Sequence, residues 1–356
     1  MSTHGLLVAS RDARVAQLLD RLESCAGIES LVGLSGELRE LAFELLEAAE
    51  SAARLTRTIA DLNDALTIRI LDLARQRHDL GGIRLAWLAL GSEGRREQTV
   101  HTDQDNALIF EADDAATARP RLLAFADEVN RVLDRCGFPL CRGDIMARNP
   151  RWCLSAEEWR ERFAGWIDTG DPQALLHGAI FFDFRGLWGE LRMAADLRDW
   201  LSEYIAPRPL FLRQMTENAL ASNPPLDWRG RLKFRVHAEA GAAFDVKVQG
   251  AGLFTDAARI LALARGVADT GTAARLRAWP QTPEEQRRAE SWIEAFHTLQ
   301  RFRLRRQLDC HRRGRPLDNR LPADSLSGFD HRLLLACFDE AKDLRKLIAV
   351  EYGLAF

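Results

Sequence analysis

No stretch of the chain approaches the roughly 18 consecutive apolar residues that a membrane span requires, so no spanning segment is expected. The first 25 residues carry charges every few positions and lack the apolar core of a secretory leader. A cytoplasmic location is therefore expected. An excess of positive charge is missing too: 49 Lys and Arg face 52 Asp and Glu, for a net charge of -3, whereas a dedicated nucleic-acid binder normally carries a basic domain or stripe. The six cysteines (Cys25, Cys136, Cys141, Cys153, Cys310 and Cys337) contain no CxxC pair, and we read them as reduced thiols. Zinc held by Cys136, Cys141 and Cys153 with His101 or His177 is disfavoured, because zinc ligand pairs normally sit about two to four residues apart. Proline is absent from residues 1 to 80, so no proline breaks the helices expected there.

What is present is an ordinary globular composition, 47% hydrophobic and 28% charged, which excludes global disorder and rod-like coiled coils. At about 150 residues per domain, 356 residues suggest two to three domains. Residues 1–80 read as successive helices, with apolar positions three or four apart at Leu55, Ile59, Leu62, Leu66 and Ile70. Near residue 82 the pattern changes. IRLAWLALG and NALIFEA are short apolar runs suited to buried strands. A helix opened by Pro120, a strand-like FPLCRGDIMA, a Trp-rich helix capped by Ser155 and the apolar run AIFFDFRGL complete an α/β unit over residues 81–190. Residues 191–356 return to helical periodicity, which suggests a bundle, with the Pro207/Pro209, Pro224/Pro225 and Pro280/Pro283 breaks at helix ends.

The most informative segment is LALGSEGRREQTVHTDQDNALIFEA, residues 88–112. Gly91 permits close backbone approach, and the turn it opens can offer amides and the Ser92 hydroxyl to a phosphate. Asp103 and Asp105 lead into the next run. Because side chains alternate along an extended chain, these carboxylates point the same way and can share one or two divalent cations, while Gln104 faces away. A carboxylate pair beside a phosphate-binding turn suits metal-dependent attack on a nucleoside triphosphate, and Arg95 and Arg96 could offset charge on the departing pyrophosphate. Neighbouring explanations fail on the same residues. Neither GxxxxGK[ST] nor GxGxxG occurs, and an EF-hand starting at Asp103 would place Ala107 and Leu108 where an oxygen ligand and a turn glycine are needed.

The stretch Gly91-Ser92-Glu93-Gly94-Arg95-Arg96-Glu97 with Asp103-Gln104-Asp105-Asn106 resembles the hG[GS]…Dh[DE]h signature of the polymerase-β-type nucleotidyltransferase superfamily. Within it, the chain is similar to signal-transduction nucleotidyltransferases often fused to CBS and cyclic-nucleotide-binding domains, relatives of the PII-protein uridylyltransferase. Met146-Ala147-Arg148-Asn149-Pro150 with Trp152, Phe182-Asp183-Phe184-Arg185, Asp245-Val246-Lys247 and Ala258-Arg259 agree with that likeness, which runs from about residue 40 to the end. It departs at Gln104, where the superfamily often has an apolar residue. The resemblance implies an α+β fold: a polymerase-β-like domain with a small mixed sheet, set between an N-terminal helical segment and a C-terminal helical substrate-binding bundle. No CBS or cyclic-nucleotide module is legible, which leaves any regulatory input to the N-terminal helices.

The resemblance also implies Mg²⁺ or Mn²⁺ on Asp103 and Asp105, triphosphate on Gly91 and Ser92, and pyrophosphate contact from Arg95 or Arg96. It further implies a third carboxylate as metal ligand or base. Asp183 is the first choice, because a charge within AIFFDFRGL needs a metal or Arg185 to compensate it; Asp144 is the second. The expected activity is transfer of a nucleoside monophosphate from UTP or ATP to an acceptor, chiefly a regulatory protein. Two rivals use the same cleft: a non-catalytic nucleotide sensor, and transfer to a small molecule. Three other features have plain structural explanations beside functional ones. These are the basic run RFRLRRQLDCHRRGR, the Asp245/Lys247 pair, and Trp152, Trp159 and Trp166 spaced along one expected helix face.

Overall fold

The computed structural model describes residues 3–48, 51–170, 178, 180–237 and 241–356, with the side chains of residues 3–10 left aside. Two compact units form: Met1–Glu161 with Phe184–Leu197, and Arg162–Asp183 with Arg198–Phe356. Their secondary structure is mixed α and β, mostly helical, with a small mixed sheet, as the sequence led us to expect.

The first unit opens with α1 (Thr3–Ser24), α2 (Ile28–Glu47) and α3 (Ala52–Arg75). The Ser51 side chain caps α3 by accepting from the Arg54 amide, and Leu55, Ile59, Leu62, Leu66 and Ile70 form its buried stripe. Then come β1 (Arg84–Ala89), the single turn α4 (Gly91–Gly94), β2 (Asn106–Glu111), α5 (Ala115–Arg135), β3 (Cys153–Ser155), α6 (Ala156–Thr169), β4 (Arg185–Gly189) and α7 (Leu191–Ile205), with α6 after Glu161 and α7 after Leu197 counted in the second unit. The sheet order is β3-β2-β1-β4. β1 lies antiparallel to both β2 and β4, while β2 and β3 run parallel. β1 is central and buried along all but its first residue, which explains why it reads as a continuous apolar run rather than an alternation. Its register pairs Ala89 with Asn106, so the end of β1 and the start of β2 meet at one edge of the sheet.

Several expected elements differ. FPLCRGDIMA is an irregular loop rather than a strand. Its backbone bonds singly to neighbours, the Gln104 amide to the Pro139 carbonyl and the Asn106 amide to the Ile145 carbonyl, and Asp144 turns it with φ 51°. α5 begins ahead of Pro120 because Asp114 accepts from the Ala116 and Thr117 amides. Of AIFFDFRGL only the last three residues, Arg185 to Leu187, are strand, the start of Arg185–Gly189, and Asp183 precedes it; Ala179 and His177 lie outside the described residues. Ser155 does cap α6, reciprocally with Glu158. All three tryptophans belong to the core, though Trp152 sits in a 3-10 turn (Pro150–Trp152) and not on α6 with Trp159 and Trp166.

In the second unit, α8 (Pro209–Ala221), α9 (Gly252–Ala264), α10 (Thr272–Ala278), α11 (Pro283–Arg312) and α12 (Gly328–Glu351) supply the expected helices. α11 and α12 each start in a capping box, Thr282 with Glu285 and Ser327 with Asp330. Helical periodicity alone did not reveal the antiparallel sheet β5 (Arg235–His237), β6 (Gly241–Asp245) and β7 (Arg320–Pro322). Its strands are too short for a two-residue alternation to register. The basic run is largely anchored: Arg306 grips Asp318 through two bonds (2.8 and 2.9 Å), Arg303 donates to Asn319, and Arg305 pairs with Asp330. Asp245 accepts the Lys247 and Val248 amides, which closes a local turn.

Candidate metal and nucleotide site

β1 runs into Leu90, whose amide donates to the Asp105 carbonyl at 2.9 Å, so the glycine turn and the aspartate segment are tied to each other. Gly91 then takes φ 51°, a left-handed conformation that favours glycine. The turn closes through the Gly94 amide to the Leu90 carbonyl and the Glu97 amide to the Ser92 carbonyl. Arg96 also has positive φ, 57°, unusual for a side-chain-bearing residue. Its guanidinium pairs with Asp61 and lies 3.7 Å from Asp64, both on α3. Arg95 is held by Glu97 at 2.9 Å. Both arginines expected to face pyrophosphate are thus engaged by carboxylates of the first unit, where they shape the loop.

The alternation expected of Asp103-Gln104-Asp105-Asn106 is present, although these residues precede β2 and only Asn106 belongs to it. Gln104 and Asn106 are buried, while both aspartates retain solvent access. An amide network explains the pattern. The Gln104 Nε2 donates to the carbonyls of Asn130 and Phe138, at 2.9 and 2.8 Å. Asn130 Nδ2 donates to Gln104 Oε1 and Asn106 Oδ1, and the Ala147 and Arg148 amides donate to Asn106 Oδ1 and Asn130 Oδ1. With their neighbours pulled inward, Asp103 and Asp105 project outward on the same side. The polar Gln104, an oddity in the signature, is what fastens the loop to α5.

That loop carries Cys141. Carboxylate oxygens of Asp103 and Asp105 and the Cys141 sulfur all lie within 4.8 Å of one another, the single such group of three among the described residues. Burial, and after it the nearby Asp105 and Asp103 charges, push the Cys141 thiol up from its ordinary value. The donor set tests which cation fits. Two carboxylates suit a hard ion such as Mg²⁺ or Mn²⁺, and a protonated thiol adds nothing to such an ion.

Glu93 and Asp64 were not found by reading the sequence. Glu93 is buried inside the glycine turn, and burial, reinforced by Asp64 and Asp105, pushes its carboxyl from 4.5 to about 8. It is neutral near pH 7. Arg185 spans the two, donating to Asp64 at 2.9 Å and to the Glu93 carbonyl at 3.2 Å. The available signal was Asp64 itself, a carboxylate set among the apolar positions of α3.

Asp183 falls in the second unit and does not belong to the donor group. Its carboxylate is fully buried and saturated: Arg259 binds it through two bonds (2.9 and 2.7 Å) and Arg275 through a third (2.5 Å). These three charge-assisted bonds take most of the carboxylate's roughly four lone-pair sites, and its burial closes the remainder to a solvent-borne cation. Buried Arg198 donates to the Phe182 carbonyl beside it, and burial lowers that guanidinium to about 9. Asp144, the second choice, is exposed in the Cys141 loop, accepts from Asn149 at 2.8 Å, and is likewise outside the group.

A small mixed sheet that brings a glycine turn and a carboxylate pair to one edge defines the nucleotidyltransferase class, with a polymerase-β-like domain. A family model described as Putative nucleotidyltransferase DUF294 matches residues 36–173, and one described as Putative nucleotidyltransferase substrate binding domain matches residues 209–352. The chain belongs to this nucleotidyltransferase family. A search of curated proteins found none that matches it. No helix among the described residues is long and apolar enough to cross a membrane.

Proposed function

We propose that the chain transfers a nucleoside monophosphate from UTP or ATP to a regulatory protein, using Mg²⁺ or Mn²⁺ held by Asp103 and Asp105. One observation carries the reading: an inward amide clamp at Gln104 and Asn106 sets two solvent-accessible carboxylates side by side, bonded through the Asp105 carbonyl to the Gly91–Ser92 turn. In this reading Gly91 lets a phosphate approach the backbone, and Ser92 offers its hydroxyl. Neutral Glu93 keeps a further negative charge, beyond Asp103 and Asp105, away from the triphosphate. Arg95 and Arg96 hold the loop in shape through Glu97 and Asp61. A bound divalent ion supplies neutralisation of phosphate charge. The choice of a protein acceptor rests on the resemblance to relatives of the PII-protein uridylyltransferase and on the match of residues 209–352 to a substrate-binding domain.

The test is thermal unfolding of wild type and Asp103→Asn/Asp105→Asn with ATP, GTP, CTP or UTP, with and without Mg²⁺. A metal-dependent rise for UTP or ATP, lost in the variant, is expected, because a ligand that binds only the native state stabilises it. A rise that needs no metal and survives the double substitution would replace this reading with a nucleotide sensor.

A further inference from the structure

We infer that Asp103, Asp105 and Cys141 together form a three-donor site for a thiophilic divalent cation of the zinc type, which competes there with the hard ion. The inference rests on the proposed reading only in sharing the two aspartates. Three observations carry it. The donor atoms lie within 4.8 Å of one another, a spread that side-chain rotation closes around an ion bound at about 2.0 Å to oxygen and about 2.3 Å to sulfur. The sulfur is also delivered to the aspartates by structure that spans the loop. Ahead of Cys141, Phe138 and Pro139 are bonded by the Gln104 side chain and amide; behind it, Ile145 and Ala147 are bonded by the Asn106 amide and side chain. The Asp144 amide closes the turn onto the Cys141 carbonyl at 3.0 Å. Finally, Cys141 is the one cysteine of the six that is not buried.

The chemistry separates the two classes of ion. Mg²⁺ and Mn²⁺ are satisfied by the carboxylates and water, whereas a borderline-soft ion gains from sulfur and suits three protein ligands with a fourth position open. On binding, the thiol releases its proton to solvent and the sulfur donates a lone pair to the cation, with no change of oxidation state. Since both ions draw on the same oxygens, each lowers the occupancy of the other.

The probe is Co²⁺ added to the full chain, read by absorption, with Mn²⁺ binding followed separately by electron paramagnetic resonance. Wild type should show a thiolate-to-cobalt charge-transfer band that Zn²⁺ abolishes. Cys141→Ser, folded by circular dichroism, should lose the band and bind Zn²⁺ at least about tenfold more weakly, with Mn²⁺ affinity changed by less than about twofold. Cobalt binding without the band, or a band that persists in Cys141→Ser, would overturn the inference and leave the proposed function standing. A cobalt band in a wild type that fails to bind Mn²⁺ would support the three-donor site and overturn the metal-dependent reading.

Discussion

Asp183 and the Asp103/Asp105 pair are both carboxylate centres, and the chain treats them in opposite ways. Asp183 is sealed at 0% exposure with its oxygens consumed by Arg259 and Arg275. Asp103 and Asp105 are left solvent-accessible, side by side and with a thiol nearby. Burial makes a charge depend on its partners, and a saturated partner set leaves nothing to bind with; exposure costs little stability and leaves lone pairs available. A charged residue in an apolar run therefore points as readily to a buried ion pair as to a catalytic site.

The sharpest way to break this contrast is Asp183→Asn. It removes the counter-charge that buried Arg259 and Arg275 share, leaving Arg259 the part-exposed Asp256, and should lower unfolding stability by about 3–5 kcal/mol, measured by denaturant titration. A variant with nearly wild-type stability and lost Mn²⁺ binding would instead restore Asp183 to the metal site. Asp103→Asn/Asp105→Asn should do the reverse. Unfolding stability without ligand stays within roughly 1 kcal/mol of wild type, while the stabilisation by nucleotide with Mg²⁺ disappears, a loss of about 2.7 kcal/mol at a hundredfold excess over Kd.

Between these extremes lie residues that position the open site. Gln104→Leu removes the donor to one buried and one part-buried carbonyl and the acceptor for Asn130, and should cost about 1–3 kcal/mol. If the amide clamp aims the carboxylates, Mn²⁺ affinity falls as well; unchanged affinity would show that the aspartates find their geometry without it. Gly91→Ala forces a side chain into φ 51° and should cost about 1–2 kcal/mol.

The last effect is a slope in pH. Glu93 titrates near 8 in the folded chain against 4.5 in an ordinary setting, so the native state holds its proton where the unfolded state has lost it. Stability therefore falls as pH rises from about 4.5 to about 8 and is flat above. Glu93→Gln should flatten that segment of the stability profile, and an unchanged slope would show that Glu93 ionises normally.

How far the site was legible follows from the range of its interactions. The turn at Gly91 and the same-facing pair Asp103 and Asp105 depend on local geometry, a glycine conformation and a two-residue alternation, and both could be read directly. Cys141 could not be placed. FPLCRGDIMA has the composition of a strand, and only the distant amides of Gln104, Asn106 and Asn130 make it a loop that meets the aspartates. The partners of Asp183 were hidden for the same reason: they lie 76 and 92 residues further along, and Arg185, the nearby candidate, turns to Asp64. The N-terminal helices seemed free of chemistry because Asp61 and Asp64 acquire their meaning only beside Arg96 and Arg185.

Two kinds of fastening meet at this edge of the sheet, and ionic strength separates them. The clamp behind the aspartates is built from neutral amides and carbonyls, which dissolved salt leaves alone. Arg96, in contrast, grips Asp61 where both side chains are about two-fifths exposed (39% and 42%), and such a pair weakens as the Debye length shrinks from about 10 Å at 0.1 M to about 3 Å at 1 M. Rising salt thus slackens the glycine-turn side of the site while the carboxylate side keeps its geometry, so the two can be loosened one at a time in the unmodified protein.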